Sequence, residues 1–390
     1  MKKILPLLSI IVVAIGLSSV FRNYLPTQVR PLATVSEPAT TKSAVSRGYK
    51  IAEVVRGLHV PWAVAFTGAR RILLTERNGR IRAIVDGKLV ERPVYTFPDV
   101  WENSEAGLLG LAVDPEYLTN KFIYASLTYV RNGNHLLKVV RLKDEGDKAT
   151  IDKIILDKVE ASSNHDGSRI KFGPDKKLYV TTGDATKKDL AQDLKSLNGK
   201  MLRLNSDGSV PSDNPTFGSA VYSYGHRNSQ GFDWDSRNGK LWATEHGPSG
   251  FDGPGGGDEI NLIKPGRNYG WPLVSHEKRL AGTEASKLLF TPAVAPSGAM
   301  FYKGDLLPQF KNNFFFAALR GEGIYRVVID ESKPEEAASF EKLAGIDLGR
   351  IREIVEGPDG AIYFSTSNTD GRGRERTGDD KIYKIVPNGK

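Results

Sequence analysis

The sequence predicts an all-β protein, a six-bladed β-propeller of four-stranded antiparallel blades. A short phrase carries that prediction: an apolar strand, a Gly/Asp/Asn turn and a second apolar strand, six times over. The clearest copies are Ile170–Asp184 (IKFGPDKKLYVTTGD) and Ile354–Asn368 (IVEGPDGAIYFSTSN); looser ones lie near Val64–Glu76, Leu111–Leu127, Phe232–Glu245 and Met300–Leu319. The second observation is spacing. The apolar runs Ile72–Thr75, Phe122–Ser126, Leu178–Thr182, Leu241–Thr244, Phe314–Ala318 and Ile362–Thr366 recur roughly every 50 to 70 residues, room for four strands and their loops. The third is the scarcity of helical periodicity, with a turn or two of helix expected only within Lys187–Lys200.

At the N-terminus, Met1-Lys2-Lys3 precedes an uncharged stretch, Ile4–Val20, rich in Leu, Ile and Val. A positive n-region before an apolar h-region reads as an export signal over residues 1–24, or as a membrane anchor if it is retained. Gly16-Leu17-Ser18 offers only a weak small-residue cleavage site. Either way the rest of the protein is expected outside the cytoplasm, in the periplasm or the extracellular space. Residues 25–47 are rich in Pro, Ser, Thr and Ala without periodicity and read as a flexible linker. From residue 48 to residue 390 short β-branched and aromatic runs alternate with turn signals: Arg77-Asn78-Gly79, Gly173-Pro174-Asp175, Arg237-Asn238-Gly239 and Gly357-Pro358-Asp359-Gly360. A length of 390 residues alone would favour two or three domains, but repeated units bury their faces only against their neighbours, so 48–390 reads as one.

Composition narrows the chemistry. The chain has no cysteine, which excludes disulfides, thiolate metal sites and cysteine nucleophiles. The net charge of +8 is dispersed, without a Lys/Arg run or an aromatic-interleaved basic stripe. A nucleic-acid partner is therefore not expected, whereas an anionic small ligand or a membrane surface fits. No G-x-S-x-G, H-E-x-x-H, Walker A or strand–G-x-G-x-x-G–helix pattern is present, and Gly255–Gly257 precedes no helical run.

Phase within the repeat sorts the remaining candidates. In a propeller the loop entering each innermost strand and the loop leaving the second strand open on the same end. At the first phase lie Glu105, His165, Arg227-Asn228, and Arg350 with Arg352; at the second lie Asp184, Glu245-His246-Gly247-Pro248 and Arg320. The opposite turns hold mostly Gly, Asp, Lys and Asn, the ordinary turn set. His165 alone reads as a surface histidine, but with Asp184 in the same blade a carboxylate can orient an imidazole as general base. Arg227 alone reads as a structural ion-pair partner, whereas Arg227, Arg320, Arg350 and Arg352 from three blades call for a compensating anion. Glu105 reads either as a solvated loop acid or as part of this mouth, and Arg77, lacking a distinctive neighbour, reads as structural. The Gly/Pro-rich stretch Glu245–Glu259 carries carbonyls and carboxylates suited to Ca²⁺, or is simply a long loop. Tyr269-Gly270-Trp271-Pro272 reads as packing that anchors it. A general base beside an anion site leaves open a propeller lactonase or other metal hydrolase, and a non-catalytic binding propeller remains a further reading.

In combination and in order, the motifs resemble the soluble PQQ-dependent glucose/sorbosone dehydrogenases, above all the shorter aldose sugar dehydrogenases. They are Val60-Pro61-Trp62, Glu105-Ala-Gly-Leu-Leu-Gly110, His165 through Thr182-Gly183-Asp184, Gly225-His-Arg-Asn228, Glu245-His-Gly-Pro248, Asp258-Glu-Ile-Asn261, Asn268-Tyr-Gly-Trp-Pro272 and Gly349-Arg-Ile-Arg352. The likeness spans about Tyr49 to Ile385. It implies a six-bladed propeller that oxidises aldoses at C1 to lactones, with PQQ and Ca²⁺ as cofactors and an external quinone or carrier protein as electron acceptor. It implies His165 as the base for the anomeric hydroxyl proton, with hydride passing to PQQ, and Asp184 as the acid that orients His165. Glu105, Arg227, Asn228, Arg320, Arg350 and Arg352 are implied at the cofactor, Gly247 and Pro248 as carbonyl ligands of Ca²⁺, and Glu259 and Tyr269 at a further calcium site. The chain departs from the glucose type in having Glu105 for Gln, Arg320 for Lys, and an insertion, Phe251–Gly256, that lengthens the calcium loop.

Overall fold

The computed structural model describes residues 48–216 and 218–389. The expected signal or anchor (1–24) and linker (25–47) lie outside the described residues. Among the described residues no helix is long and apolar enough to cross a membrane.

Six antiparallel sheets follow one another along the chain and close into a ring. Their inner strands are Pro61–Gly68, Leu108–Val113, Ile170–Phe172, Ser229–Trp234, Pro296–Phe301 and Ile351–Glu356. Each is followed by its second strand: Arg71–Glu76, Phe122–Arg131, Leu178–Thr182, Leu241–Glu245, Phe314–Ala318 and Ile362–Thr366. These six second strands contain the six apolar runs singled out in the sequence. Ser229–Trp234 packs on Pro296–Phe301, that strand on Ile351–Glu356, and Ile351–Glu356 on Pro61–Gly68, so the last blade meets the first.

The chain closes the ring with its own ends. The sixth blade takes Ile351–Glu356, Ile362–Thr366 and Lys381–Pro387 from late in the sequence and its outermost strand, Tyr49–Arg56, from the beginning. Register runs from Tyr49 opposite Pro387 to Arg56 opposite Lys381, with one irregularity between Glu53 and Val55. The first blade is the exception to four clean strands. Its outer position is shared by two short pieces, Lys88–Leu89 and Tyr95–Thr96, both paired along Arg80–Val85.

Burial falls from the axis outward, which explains the apolar runs. Leu178–Thr182, Leu241–Glu245, Phe314–Ala318 and Ile362–Thr366 are buried at every residue, because blades cover both faces. The outermost strand of the second blade, Ala149–Glu160, alternates irregularly and exposes Ile151 and Ile154. The core lies between blades: Trp62 and Leu73 pack with Leu108, Leu111 and Val140, and Tyr124 and Val139 with Leu178, Val180 and Leu202. At the far turns the two clearest copies share one device. The Tyr179 hydroxyl donates to Asp175 (3.0 Å) and the Tyr363 hydroxyl to Asp359 (2.9 Å), tying each second strand to its turn. The helical expectation in Lys187–Lys200 becomes a 3₁₀ turn, Lys188–Ala191, and one α-turn, Tyr117–Asn120, was not signalled by periodicity.

Candidate active site

A cavity of about 370 Å³ opens at one end of the ring. From loops that precede inner strands it takes Ser104, Glu105, His165, Arg227 and Arg350; from loops that leave second strands it takes His246, Gly247, Pro248, Arg320, Asp370 and Arg372. The two phases of the repeat thus meet in one hollow. Arg352 also lines it but lies within the inner strand Ile351–Glu356 rather than before it.

His165 and Asp184 sit on neighbouring loops of the third blade. His165 Nδ1 is 2.8 Å from Asp184 Oδ1, and both residues are buried. Asp184 is held in turn: the Thr186 amide donates to Oδ1 (2.8 Å) and Trp271 Nε1 donates to Oδ2 (2.8 Å). With the Asp184 carboxylate as the acceptor, the Nδ1–H tautomer fits this contact and turns Nε2 toward the acceptor role. The loops approach backbone to backbone, with the Ala185 amide donating to the His165 carbonyl at 3.1 Å. Gly183 permits this: a Cβ there would lie 1.8 Å from the His165 carbonyl oxygen. His165 (φ 64), Ala185 (φ 50) and Thr186 (φ 63) all adopt the left-handed conformation, costing about 1–3 kcal/mol each at non-glycine residues. Such strain around one histidine–carboxylate pair is what a preorganised site carries.

Arginines outnumber carboxylates on the cavity wall, although Arg77 and Arg227 pair with Glu102 and Asp252 off it. Six arginines (77, 227, 320, 350, 352 and 372) line it against three carboxylates, Glu105, Asp258 and Asp370. Arg350 Nε donates to Asp370 (2.9 Å), and Arg352 Nη2 reaches the same carboxylate at 3.7 Å, so two guanidiniums share one anion. Arg352 Nη1 donates to Gln230 (2.8 Å), but its Nε is buried without a partner. Burial lowers Arg352 to about 10, still cationic at neutral pH. No hydrogen bond or ion pair engages the Arg320 side chain among the described residues. Glu105 accepts from Arg372 (2.6 Å); burial opposes its charge, but His246, Arg372, His165 and Arg352 bring it to about 2. His246 is lowered by burial to about 4, so it is neutral, and its Nε2 has no partner. Asp166, beside the base, is pushed well above the usual carboxylate range by burial and by the charges of Glu105 and Asp184.

The calcium candidates divide. Gly247 and Pro248 are on the cavity wall, where the Gly247 amide donates to Asp258 (2.8 Å) and the Pro248 carbonyl accepts from Gly256 (3.2 Å). Asp258 spends its other oxygen on the Val294 and Ala295 amides, both at 2.7 Å, so its carboxylate shapes the loop. Glu259 and Tyr269 lie behind the wall, around a cavity of about 10 Å³ that also touches Glu245, Gly247 and Pro248. Glu259 faces Glu245 across paired strands, and burial with that neighbour's charge raises Glu259 to about 8. The Tyr269 hydroxyl donates to the Leu262 carbonyl (2.6 Å) and accepts from the Lys264 amide (2.8 Å), so it points away from that acidic pair. Among the described residues no group of three or more His, Asp or Glu is arranged to hold a metal.

Two residues implied at the cofactor are also engaged within the protein. Asn228 is fully buried off the cavity wall, its Oδ1 accepting from the Gly167 amide at 3.0 Å, and serves the His165 loop. Arg227 lines the cavity, but its donors go to its neighbours: Nε to Asp252 (2.7 Å), Nη1 to the His246 carbonyl (3.3 Å) and Nη2 to Ser249 (3.0 Å). Asp370 and Arg372, both on the wall, were missed although they follow a second strand and share the informative phase. Arg77 also reaches the wall, paired with Glu102 at 3.2 Å. Trp271 is buried packing as expected, and its indole N–H is also a direct support of Asp184.

Comparison with known proteins converges on the same chemistry. The profile of the family described as glucose/sorbosone dehydrogenase matches residues 58–376. The aldose sugar dehydrogenase YliI of Escherichia coli is 31% identical over 335 residues, covering 80% of this chain and 88% of that protein. Quinoprotein glucose dehydrogenase B of Acinetobacter calcoaceticus is 27% identical, covering 86% of this chain and 88% of that one. The PQQ-bound structure of an aldose sugar dehydrogenase from Streptomyces coelicolor superposes with a TM-score of 0.76 at 32% identity, over 87% of this chain and 98% of that chain.

Proposed function

The chain belongs to the glucose/sorbosone dehydrogenase family, and from that premise we propose that it oxidises aldoses at C1 to lactones, with His165 as general base and Ca²⁺ beside the cofactor. It is an oxidoreductase, a sugar dehydrogenase that works with PQQ. One observation carries the finer reading: a buried histidine–carboxylate pair opens into the same cavity as an excess of three arginines over carboxylates.

The residues present fit PQQ, which carries three carboxylates. Arg320, with no side-chain partner among the described residues, Arg350 and Arg352, sharing a single anion, and the buried unbonded Nε of Arg352 are the donors such a polyanion requires. When bound, PQQ supplies the two-electron acceptor for the hydride that leaves C1. The chain's own part is orientation and proton transfer. His165 takes the anomeric hydroxyl proton at Nε2. The charge of Asp184 favours the resulting imidazolium, and Trp271 and the Thr186 amide keep that carboxylate aimed. Glu105, its carboxylate ionised, receives a hydrogen bond from Arg372 across the mouth and leaves its second oxygen beside the His165 backbone.

Gly247 and Pro248 would hold Ca²⁺ through backbone carbonyls, hard oxygen donors of the kind this cation prefers, with ligand and water completing the shell. Glu259 with Glu245 opposite is the carboxylate pair for a second cation, with Tyr269 contributing at most its backbone. An external quinone or an electron-carrier protein is the proposed final acceptor. The reaction is assigned to the periplasm or the cell exterior on the Met1–Val20 pattern, which also allows attachment to the membrane.

The test is to express the full chain without cofactor, add PQQ with Ca²⁺, and follow dye reduction by a panel of aldoses while titrating PQQ binding. Sugar-dependent reduction with lactone as product is expected. No PQQ binding together with no sugar-dependent reduction would sink the proposal.

A further inference from the structure

Glu105 poses an electrostatic problem on the wall of an anion site. Its side chain is 16% exposed, and although burial opposes its charge, nearby cations bring its carboxyl to about 2. A fixed carboxylate beside a polyanionic ligand repels it, and more strongly in a half-buried cavity than in water. Such a wall accepts an anion only if a counter-charge stays on Glu105 when the ligand arrives.

Arg372 has the geometry of that counter-charge. Its Nη1 donates to Glu105 Oε1 at 2.6 Å, and its Nη2 donates to Asn164 Oδ1 at 2.7 Å and to Ser104 Oγ at 3.2 Å. The Ser104 hydroxyl donates in turn to Asn164 Oδ1 at 3.1 Å, so the far edge of the guanidinium meets a fixed pair. The backbone end is tied as well. Asp370 Oδ1 accepts from the Arg372 amide at 2.9 Å and from the Gly373 amide at 3.2 Å, while its Oδ2 answers Arg350. A side chain 52% exposed ordinarily moves freely and its ion pair is worth little. This one is anchored at both ends, from a loop of the sixth blade to the loops that precede the second and third inner strands. His246, Arg372, His165 and Arg352 all favour the charge of Glu105, but among the described residues Arg372 is the one cation hydrogen-bonded to it.

We propose that Arg372 is the fixed counter-ion of Glu105, and that the pair enters the cofactor site as one neutral unit. The proposal rests on the reading of the cavity as a PQQ site and gives Arg372 a positioning role there. Arg320, Arg350 and Arg352 are then the arginines left to meet the cofactor's carboxylates. Asp370 serves both parts, aiming a cofactor arginine with one oxygen and carrying the Arg372 loop on the other.

The experiment is a double-mutant cycle read as PQQ binding to the full-length apoprotein, by equilibrium dialysis with Ca²⁺ present. Arg372→Gln keeps hydrogen-bonding groups but drops the charge, and should weaken PQQ about tenfold, a usual size for coupling between contacting residues. In the Glu105→Gln background the same change should cost less than about twofold, because no carboxylate is left uncompensated. Arg372→Lys should bind more tightly than Arg372→Gln, since the charge remains. Each apoprotein is melted first, and Arg372→Ala repeats the cycle should Arg372→Gln prove unfolded. An equal loss in both backgrounds would mean that Arg372 meets the ligand itself. No loss in either would mean that Glu105 needs no counter-ion. Either result, or a lysine variant no better than the glutamine one, overturns the proposal and leaves the PQQ reading intact. A wild-type protein that binds no PQQ overturns that reading and the proposal with it.

Discussion

Replacing Gly183 with alanine probes how the base is held. The new Cβ would lie 1.8 Å from the His165 carbonyl oxygen and 2.3 Å from its carbon. Both are backbone atoms, so no side chain can swing aside. Because Cβ contacts essentially never fall below 3.0 Å, the two loops must part by about 1.2 Å. The same displacement would stretch the His165–Asp184 bond of 2.8 Å and the Ala185–His165 bond of 3.1 Å beyond hydrogen-bonding distance. A misplacement of about 1 Å at a catalytic group costs about 10²-fold in rate, and overpacking costs about 1–3 kcal/mol of stability. The assay is kcat for aldose-dependent dye reduction by the PQQ-loaded enzyme, with a melting curve for the fold. Gly68→Ala is the control: Gly68 ends the first inner strand, and a Cβ there meets nothing within 4 Å. A Gly183→Ala enzyme with kcat within threefold of wild type and an unchanged melting temperature would refute the backbone-to-backbone packing on which this reasoning depends.

Other substitutions separate roles within the cavity. His165→Ala should keep PQQ but lose turnover by about 10²–10⁴, read by PQQ titration beside single-turnover kinetics. Arg320→Ala should weaken PQQ binding by about tenfold to a hundredfold, the worth of a hydrogen bond to a charged group, and equilibrium dialysis measures it. Trp271→Phe removes the 2.8 Å donor to Asp184 and should lower kcat about tenfold with PQQ affinity intact, checked by steady-state kinetics at saturating PQQ. Asp166 has its folded-state pKa raised well above the ordinary value. Between those two values the folded state binds the extra proton, so stability falls as pH rises through that window. Asp166→Asn should therefore melt higher than wild type at pH 7 and lose that advantage as pH falls to about 4, measured as the difference in Tm across pH.

Much of the architecture is legible because the repeat is a physical necessity. Second strands covered on both faces begin with runs of apolar residues instead of alternating, so Phe314–Ala318 or Ile362–Thr366 does not read as a half-exposed strand. The mouth is legible through phase, which brings His165 and Asp184 together before any distance is known. What sequence does not disclose is which charge answers which. Arg372 reaches Glu105 from 267 residues away, Asp370 is shared by two arginines of its own blade, and the carboxylate of Asp258 is consumed by three backbone amides. Arg227 illustrates the limit best: residue type and position announce an anion site, yet the nearest anion is Asp252, twenty-five residues along the same chain. Asn228 is similar, a polar residue at the right phase turned inward to cap Gly167.

The pairing of Tyr49–Arg56 with Lys381–Pro387 has a consequence in time as well as in space. A ribosome delivers the outer strand of the sixth blade first and its three partners last, so the earliest strand waits unpaired while five blades are made. Arg350, Arg352 and Asp370 belong to that last-made blade. The cavity therefore cannot grip a polyanion until nearly the whole polypeptide has been delivered and the waiting strand has been captured. If Arg350 and Arg352 hold PQQ as proposed, a protein truncated within Lys381–Pro387 should bind PQQ more weakly even though His165 and Asp184 were synthesised long before.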